Sequence, residues 1–181
     1  QYARLQQGRW AEARAWLQQL FNNLPADAPL MRARFLYRLS DEFTLMAGYF
    51  DQVPANLQTA AMQGPTTILT RSLAHWQGRL GPALAEEAAK LASLRQADPH
   101  DTLVALIAPQ VEALALENRG QLDSAIAVLR TAVAYEASLP MDFGPPAAVR
   151  PVHEALAELL LVNGRFAAAQ VAFQRALERT P

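Results

Sequence analysis

Five glycines in this chain sit in the same surroundings, and that repetition limits the fold more than any other feature. They open the turns Gly8-Arg9-Trp10, Gly48-Tyr49-Phe50, Gly78-Arg79-Leu80, Gly120-Gln121-Leu122 and Gly164-Arg165-Phe166. Each glycine ends a stretch of helical spacing, and a large apolar residue follows two places on. Five places after the glycine stand Ala13, Val53, Ala83, Ala125 and Ala169. Nine places after it stand Leu17, Leu57, Glu87, Leu129 and Phe173, and twelve places after it Leu20, Ala60, Lys90, Ala132 and Ala176.

Glycine reaches the left-handed conformation that closes a helix without the penalty a Cβ would bring. A small residue soon afterwards lets the second helix press close to the first. The larger residues at helical spacing then fill the groove to the neighbouring pair. These columns predict about five helical hairpins packed side by side. The third copy is irregular, because Glu87 and Lys90 fall in apolar columns. A slip of one residue in its turn brings Leu84, Ala88 and Leu91 there instead. The adjoining Gly81-Pro82 suits such a slip, since proline is favoured in the first turn of a helix.

Nothing in the chain competes with an all-α reading. Alanine, leucine, glutamine, glutamate and arginine dominate, all good helix formers. Apolar residues recur at three- and four-residue steps through most of the sequence. Runs of β-branched residues are missing, and the nearest approach, Thr66-Thr67-Ile68, lies within helical spacing. The hairpins are placed at roughly 1–23, 30–61, 65–96, 101–138 and 149–179. Between them lie the breaker-rich stretches 22–29, 63–65, 97–101 and 139–151, the last being the longest. All 181 residues read as one repeat domain, because each hairpin needs its neighbours to bury its face.

Bulk properties exclude several classes of function. The net charge of −1 provides no basic field for nucleic acid or anionic lipid. Lys90 is the one lysine, and the other 15 cationic side chains are arginines. Arg32, Arg34 and Arg38 share one helix, but Glu42 lies four places after Arg38 and is placed to pair with it. No cysteine is present, which removes disulfides, thiolate metal sites and cysteine nucleophiles. No apolar run approaches the length of a membrane span. The sequence opens at Gln1 within a helical pattern and has no initiator Met, so it reads as a processed or trimmed piece and leaves the compartment open.

The columns resemble the tetratricopeptide repeat: a helix, a Gly-x-aromatic turn, then Ala, an aromatic or Leu, Ala, and a closing Pro. The last copy matches best, through Gly164, Phe166, Ala169, Phe173, Ala176 and Pro181. The fourth matches through Gly120, Leu122, Ala125, Leu129 and Ala132, and the first through Gly8, Trp10, Ala13, Leu17 and Leu20. The small residue expected midway along each first helix is Ala113 and Ala157 in the last two copies, but Asp41 and Arg71 in the second and third. The last two copies, with the intervening loop, are similar to bacterial proteins of this family. The resemblance covers nearly the whole chain. It implies a right-handed α-α superhelical solenoid whose first helices line a concave wall.

In that frame the wall positions lie 13, 10, 6 and 3 residues before each turn glycine. They are Phe35, Arg38, Glu42 and Leu45 in the second copy, and Pro65, Ile68, Ser72 and His75 in the third. In the fourth they are Ile107, Gln110, Leu114 and Glu117, and in the last Pro151, Glu154, Glu158 and Leu161. The polar members form a candidate ligand-binding set: Arg38, Glu42, Ser72, His75, Gln110, Glu117, Glu154 and Glu158. The alternative is an ordinary solvated face. Such a mixed wall suits an extended peptide or a partner's helix.

No chemical motif survives inspection. His153-Glu154 lacks a second histidine four places on, since that position is Ala157. It reads as a histidine at a helix start, with Glu154 favoured near the helix N-terminus, the alternative being a groove-lining histidine that hydrogen-bonds a ligand. Asp98, His100 and Asp101 offer oxygen and imidazole donors, yet Pro99 suggests a turn and Asp101 reads as an N-cap. Phosphate loops and nucleophile elbows are absent. An enzyme would need a set such as His75 with Glu117 or Glu158, drawn from distant copies. In the 139–151 loop, Met141 and Phe143 flank the stiff Gly144-Pro145-Pro146. Phe143 is a candidate anchor for a loop folded across the groove, the alternative being a plain spacer.

The expected function is therefore a non-catalytic scaffold that binds a protein or peptide partner, with no cofactor or metal. A self-assembling repeat module is the alternative, with Trp10, Trp16 or Phe21 partly uncovered in the first hairpin.

Overall fold

The helix-forming composition of the third, fourth and fifth segments is realised as six helices. In a computed structural model of the chain, residues 64–139 and 150–179 are described, together with positions 9, 11, 12, 15, 16, 19 and 23. The helices are α1 (Pro65–Gln77), α2 (Gly81–Ala97), α3 (Thr102–Asn118), α4 (Leu122–Ser138), α5 (Val152–Val162) and α6 (Phe166–Arg179). The described residues contain no strand, and the protein is all-α among them. Arg38, Glu42 and Phe143 lie outside the described residues, as do the whole second hairpin and most of the first.

Contacts divide the chain into two compact units, Gln1–Thr70 and Arg71–Pro181, and the division falls inside α1 rather than in a linker. In the first unit, Arg9 forms a two-pronged pair with Glu12, at 2.8 Å from Nε to Oε1 and 2.5 Å from Nη2 to Oε2. Trp16 is half-buried. At the end of this unit Ile68 and Leu69 are buried, and the Thr70 hydroxyl donates to the Thr66 carbonyl at 3.0 Å.

The second unit is built from consecutive helix pairs. Helix α2 packs on α3, α3 on α4, α4 on α5, and α5 on α6, with a smaller contact between α3 and α5. One core joins the last two hairpins. Ala113, Ala125, Val152 and Ala157 are fully buried in it, among Leu106, Ile126, Leu129, Ala155, Leu159, Leu160 and Ala169. The small columns thus lie where helices meet: Ala113 and Ala157 midway along α3 and α5, Ala125 and Ala169 near the starts of α4 and α6. A larger side chain at any of them would force apart helices packed to crystal-like density.

The turns follow the glycine pattern at two positions and depart from it at a third. Gly120 and Gly164 take φ of +76° and +72°. After each, an amide donates back across the turn, Gln121 to Leu116 at 2.9 Å and Arg165 to Leu160 at 2.9 Å. This is the six-to-one bond of a Schellman cap. In the third turn the equivalent bond runs from Leu80 to His75 at 2.8 Å, and the left-handed residue is Arg79, at φ +56°. Gly78, expected to close that helix, is not the residue with positive φ. The turn has slipped by one residue. Gly81 then opens α2, with proline in its first turn. As the slip requires, Leu84 and Leu91 are fully buried.

Glu87 is buried as well. It receives Arg71 in a two-pronged bond, Nε to Oε1 at 2.9 Å and Nη2 to Oε2 at 3.1 Å. Arg71 stands where a small residue was expected, and Glu87 where an apolar one was. Two of the third copy's misfits, Arg71 and Glu87, are therefore partners of each other.

Candidate functional site

The polar residues assigned to a wall do not form one uniform surface, and the reason lies in what packs on each helix. On α3 the four positions Ile107, Gln110, Leu114 and Glu117 are all shielded. Gln110 is 1 % exposed. Its side-chain amide donates to the carbonyls of Leu106 and Arg150, both at 3.1 Å, and Arg150 Nη1 donates back to Gln110 Oε1 at 3.3 Å. Glu117 accepts from Trp76 Nε1 at 2.7 Å, and from Arg79 Nη1 at 3.1 Å to the same oxygen. The expectation of an open wall at Gln110 and Glu117 is corrected by these bonds. One residue is covered by the segment leading into α5 and the other is held by α1 and its turn. The solvent-facing side of α3 carries Glu112 instead.

On α1, Ser72 is fully buried and His75 is half-buried. A buried serine offers nothing to an incoming ligand in this arrangement. His75 and Glu117 both lie near the end of their helices, but the Glu117 carboxylate is already bound by Trp76 and Arg79, so that pair provides no free acid and base.

Helix α5 is different. Glu154, Glu158 and Leu161 lie at intervals of four and three residues and share one face of the helix. None of them is buried. Glu158 is bonded to Nη2 of Arg150, whose own side chain is buried. Among the described residues Glu154 has no hydrogen-bonding or ionic partner. Burial of its carboxyl, and secondly the nearby Glu158 charge, push its pKa above the ordinary carboxylate range, against the opposing pull of Arg150. Leu161 is 45 % exposed at the far end of the same face. The face offers a carboxyl poor in hydration, a carboxylate paired to arginine, and an apolar end.

His153, read as a simple helix-start histidine, proves to be part of a joint between hairpins. Glu136, on the last turn of α4, accepts from the Val152 amide at 2.9 Å through Oε1 and contacts His153 Nδ1 at 3.1 Å through Oε2. Helix α5 has no cap from its own flanking side chain, so Glu136 supplies one from the preceding hairpin. This role was missed because 16 residues separate Glu136 from Val152. The spacing of helix formers carries no record of such a bond.

The Asp98–Asp101 segment is a turn and cap. Asp101 Oδ1 accepts from the Val104 amide at 3.0 Å, and Asp98 Oδ1 accepts from the His100 amide at 3.1 Å. Among the described residues no three His, Asp or Glu side chains gather as a metal site. None of the described helices is long and apolar enough to cross a membrane.

Comparison with known proteins gives no assignment: no family model matches the chain, and no curated protein or solved structure is significantly similar to it.

Proposed function

We propose that the chain is a non-catalytic interaction scaffold, a right-handed solenoid of helical hairpins related to the tetratricopeptide repeat, which holds a peptide or partner subunit on its first helices. Support for the architecture comes from packing between successive helices, with one next-but-one contact between α3 and α5. Repeated Schellman turns and buried alanines at matching positions add to it. The observation that carries the binding role is Glu154, without a partner among the described residues, on a face that ends in exposed Leu161. A carboxyl held half out of water is stabilised by a cationic or hydrogen-bond-donating group, and an apolar side chain beside it adds burial. Selection of a random displayed peptide library on the purified protein tests this. Enriched peptides that bind wild type and lose affinity to Glu154→Lys and Leu161→Asp support the role. No enrichment over an unrelated helical protein overturns it.

A second reading is self-association, and one observation favours it. The last hairpin exposes Phe166 by 68 % and Leu177 by 74 %, with Val162 and Val171 also open. Light scattering across a range of concentrations checks it. A mass that rises with concentration, and stays monomeric in Phe166→Glu/Leu177→Glu, supports assembly, and a constant mass removes it.

A further inference from the structure

We infer that the last hairpin is seated by a buried polar clasp that reaches it from α3 and α4. The clasp has two jaws. From α3, Gln110 takes the carbonyl and the guanidinium of Arg150 at 3.1 and 3.3 Å. From α4, Glu136 takes the amide of Val152 and the ring of His153 at 2.9 and 3.1 Å. Arg150, Val152 and His153 are all buried, and so is Gln110. Arg150 also turns forward to Glu158, which binds the clasp to the second turn of α5.

Apolar burial of Val152, Leu156, Leu159 and Leu160 supplies most of the attraction between the hairpins. That attraction is non-directional. Rows of alanine and leucine tolerate sliding, whereas four polar contacts to three consecutive-turn residues do not. Displacing α5 by one turn would strand a helix-start amide, a carbonyl and a guanidinium out of water, each costly when unpaired. The clasp therefore fixes the register of α5 on α3 and α4. It also makes the α5–α6 pair a unit that leaves and returns as a whole, since both jaws release together.

Hydrogen exchange on the intact protein tests this. Glu136→Ala removes one jaw and is expected to lower α5–α6 amide protection by roughly 10-fold or more, with α3 amides unchanged. Should that variant not fold, Glu136→Gln, which keeps one acceptor oxygen, is read by the same criteria. Equal losses in α3 and α5–α6, or full protection in the Glu136 variants, would overturn the inference.

Discussion

Arg79 holds in its turn the left-handed place that Gly120 holds in the next. Its φ is +56° against +76°, and the same back-bond closes both helices. An L residue in this region costs about 1–2 kcal/mol, so the third turn carries strain that the fourth does not. Substituting the two glycines separates them. A Cβ on Gly120 meets no atom within 4 Å, so Gly120→Ala is penalised by conformation alone, by about 1 kcal/mol. Gly78→Ala meets its neighbours at an ordinary 3.5 Å and has no positive φ, so it is expected within about 0.5 kcal/mol of wild type. Urea unfolding of both variants checks the order.

Glu154 makes stability depend on pH in a definite direction. Its folded pKa lies above the unfolded one, so the protonated form is favoured by folding. Stability from this group is fully present below the unfolded carboxylate pKa and is lost as pH rises through the folded value. Glu154→Gln is therefore expected to raise the urea midpoint at pH 7 and to lose that advantage once the pH falls below the ordinary carboxylate range. Paired titrations of wild type and variant at pH 7 and pH 4 measure it.

Trp76 and Glu117 are coupled across two hairpins. The indole donates at 2.7 Å to a carboxylate that is 8 % exposed. Glu117→Ala leaves the indole N–H without its acceptor and is expected to cost about 1–3 kcal/mol. Trp76→Phe then costs less in that background than in wild type. A double-mutant cycle read by thermal unfolding should give a coupling of about 0.5 kcal/mol or more. Arg79 contributes little to this, because its own side chain is 66 % exposed.

Glu86 and Glu87 are neighbours in sequence and opposites in setting. Glu86 pairs with Lys90 at 2.9 Å on the surface, whereas Glu87 is buried against Arg71. Glu86→Ala is expected to leave the denaturant midpoint essentially where it is in wild type, because the pair is exposed. Glu87→Ala removes a buried partner and is expected to cost about 3 kcal/mol. Denaturant midpoints at matched salt decide between them.

Local features of the fold were legible because they repeat along the chain. The glycines, the alanines five places later, the cap at Asp101 and the slip at Gly81-Pro82 each act within a few residues. The bonds that shape the candidate site act at a distance. Trp76 to Glu117 spans 41 residues and Gln110 to Arg150 spans 40, so helical periodicity is silent about both. Spacing alone therefore places Gln110 and Glu117 on a ligand-facing wall, although the segment before α5 and the end of α1 claim their polar groups. The pairing of Arg71 with Glu87 was hidden for a related reason. Each departed from its own column, and only the bond between α1 and α2 joins the two departures.

The setting of Lys90 has a practical consequence. Its amine lies between Glu86 and Glu87 at 2.9 and 3.6 Å, and the bond to Glu86 raises its pKa. With no second lysine and no thiol in the chain, amine-directed chemistry has one side chain to address. A dye or crosslinker attached to that side chain would report from α2 and leave the face of α5 chemically untouched.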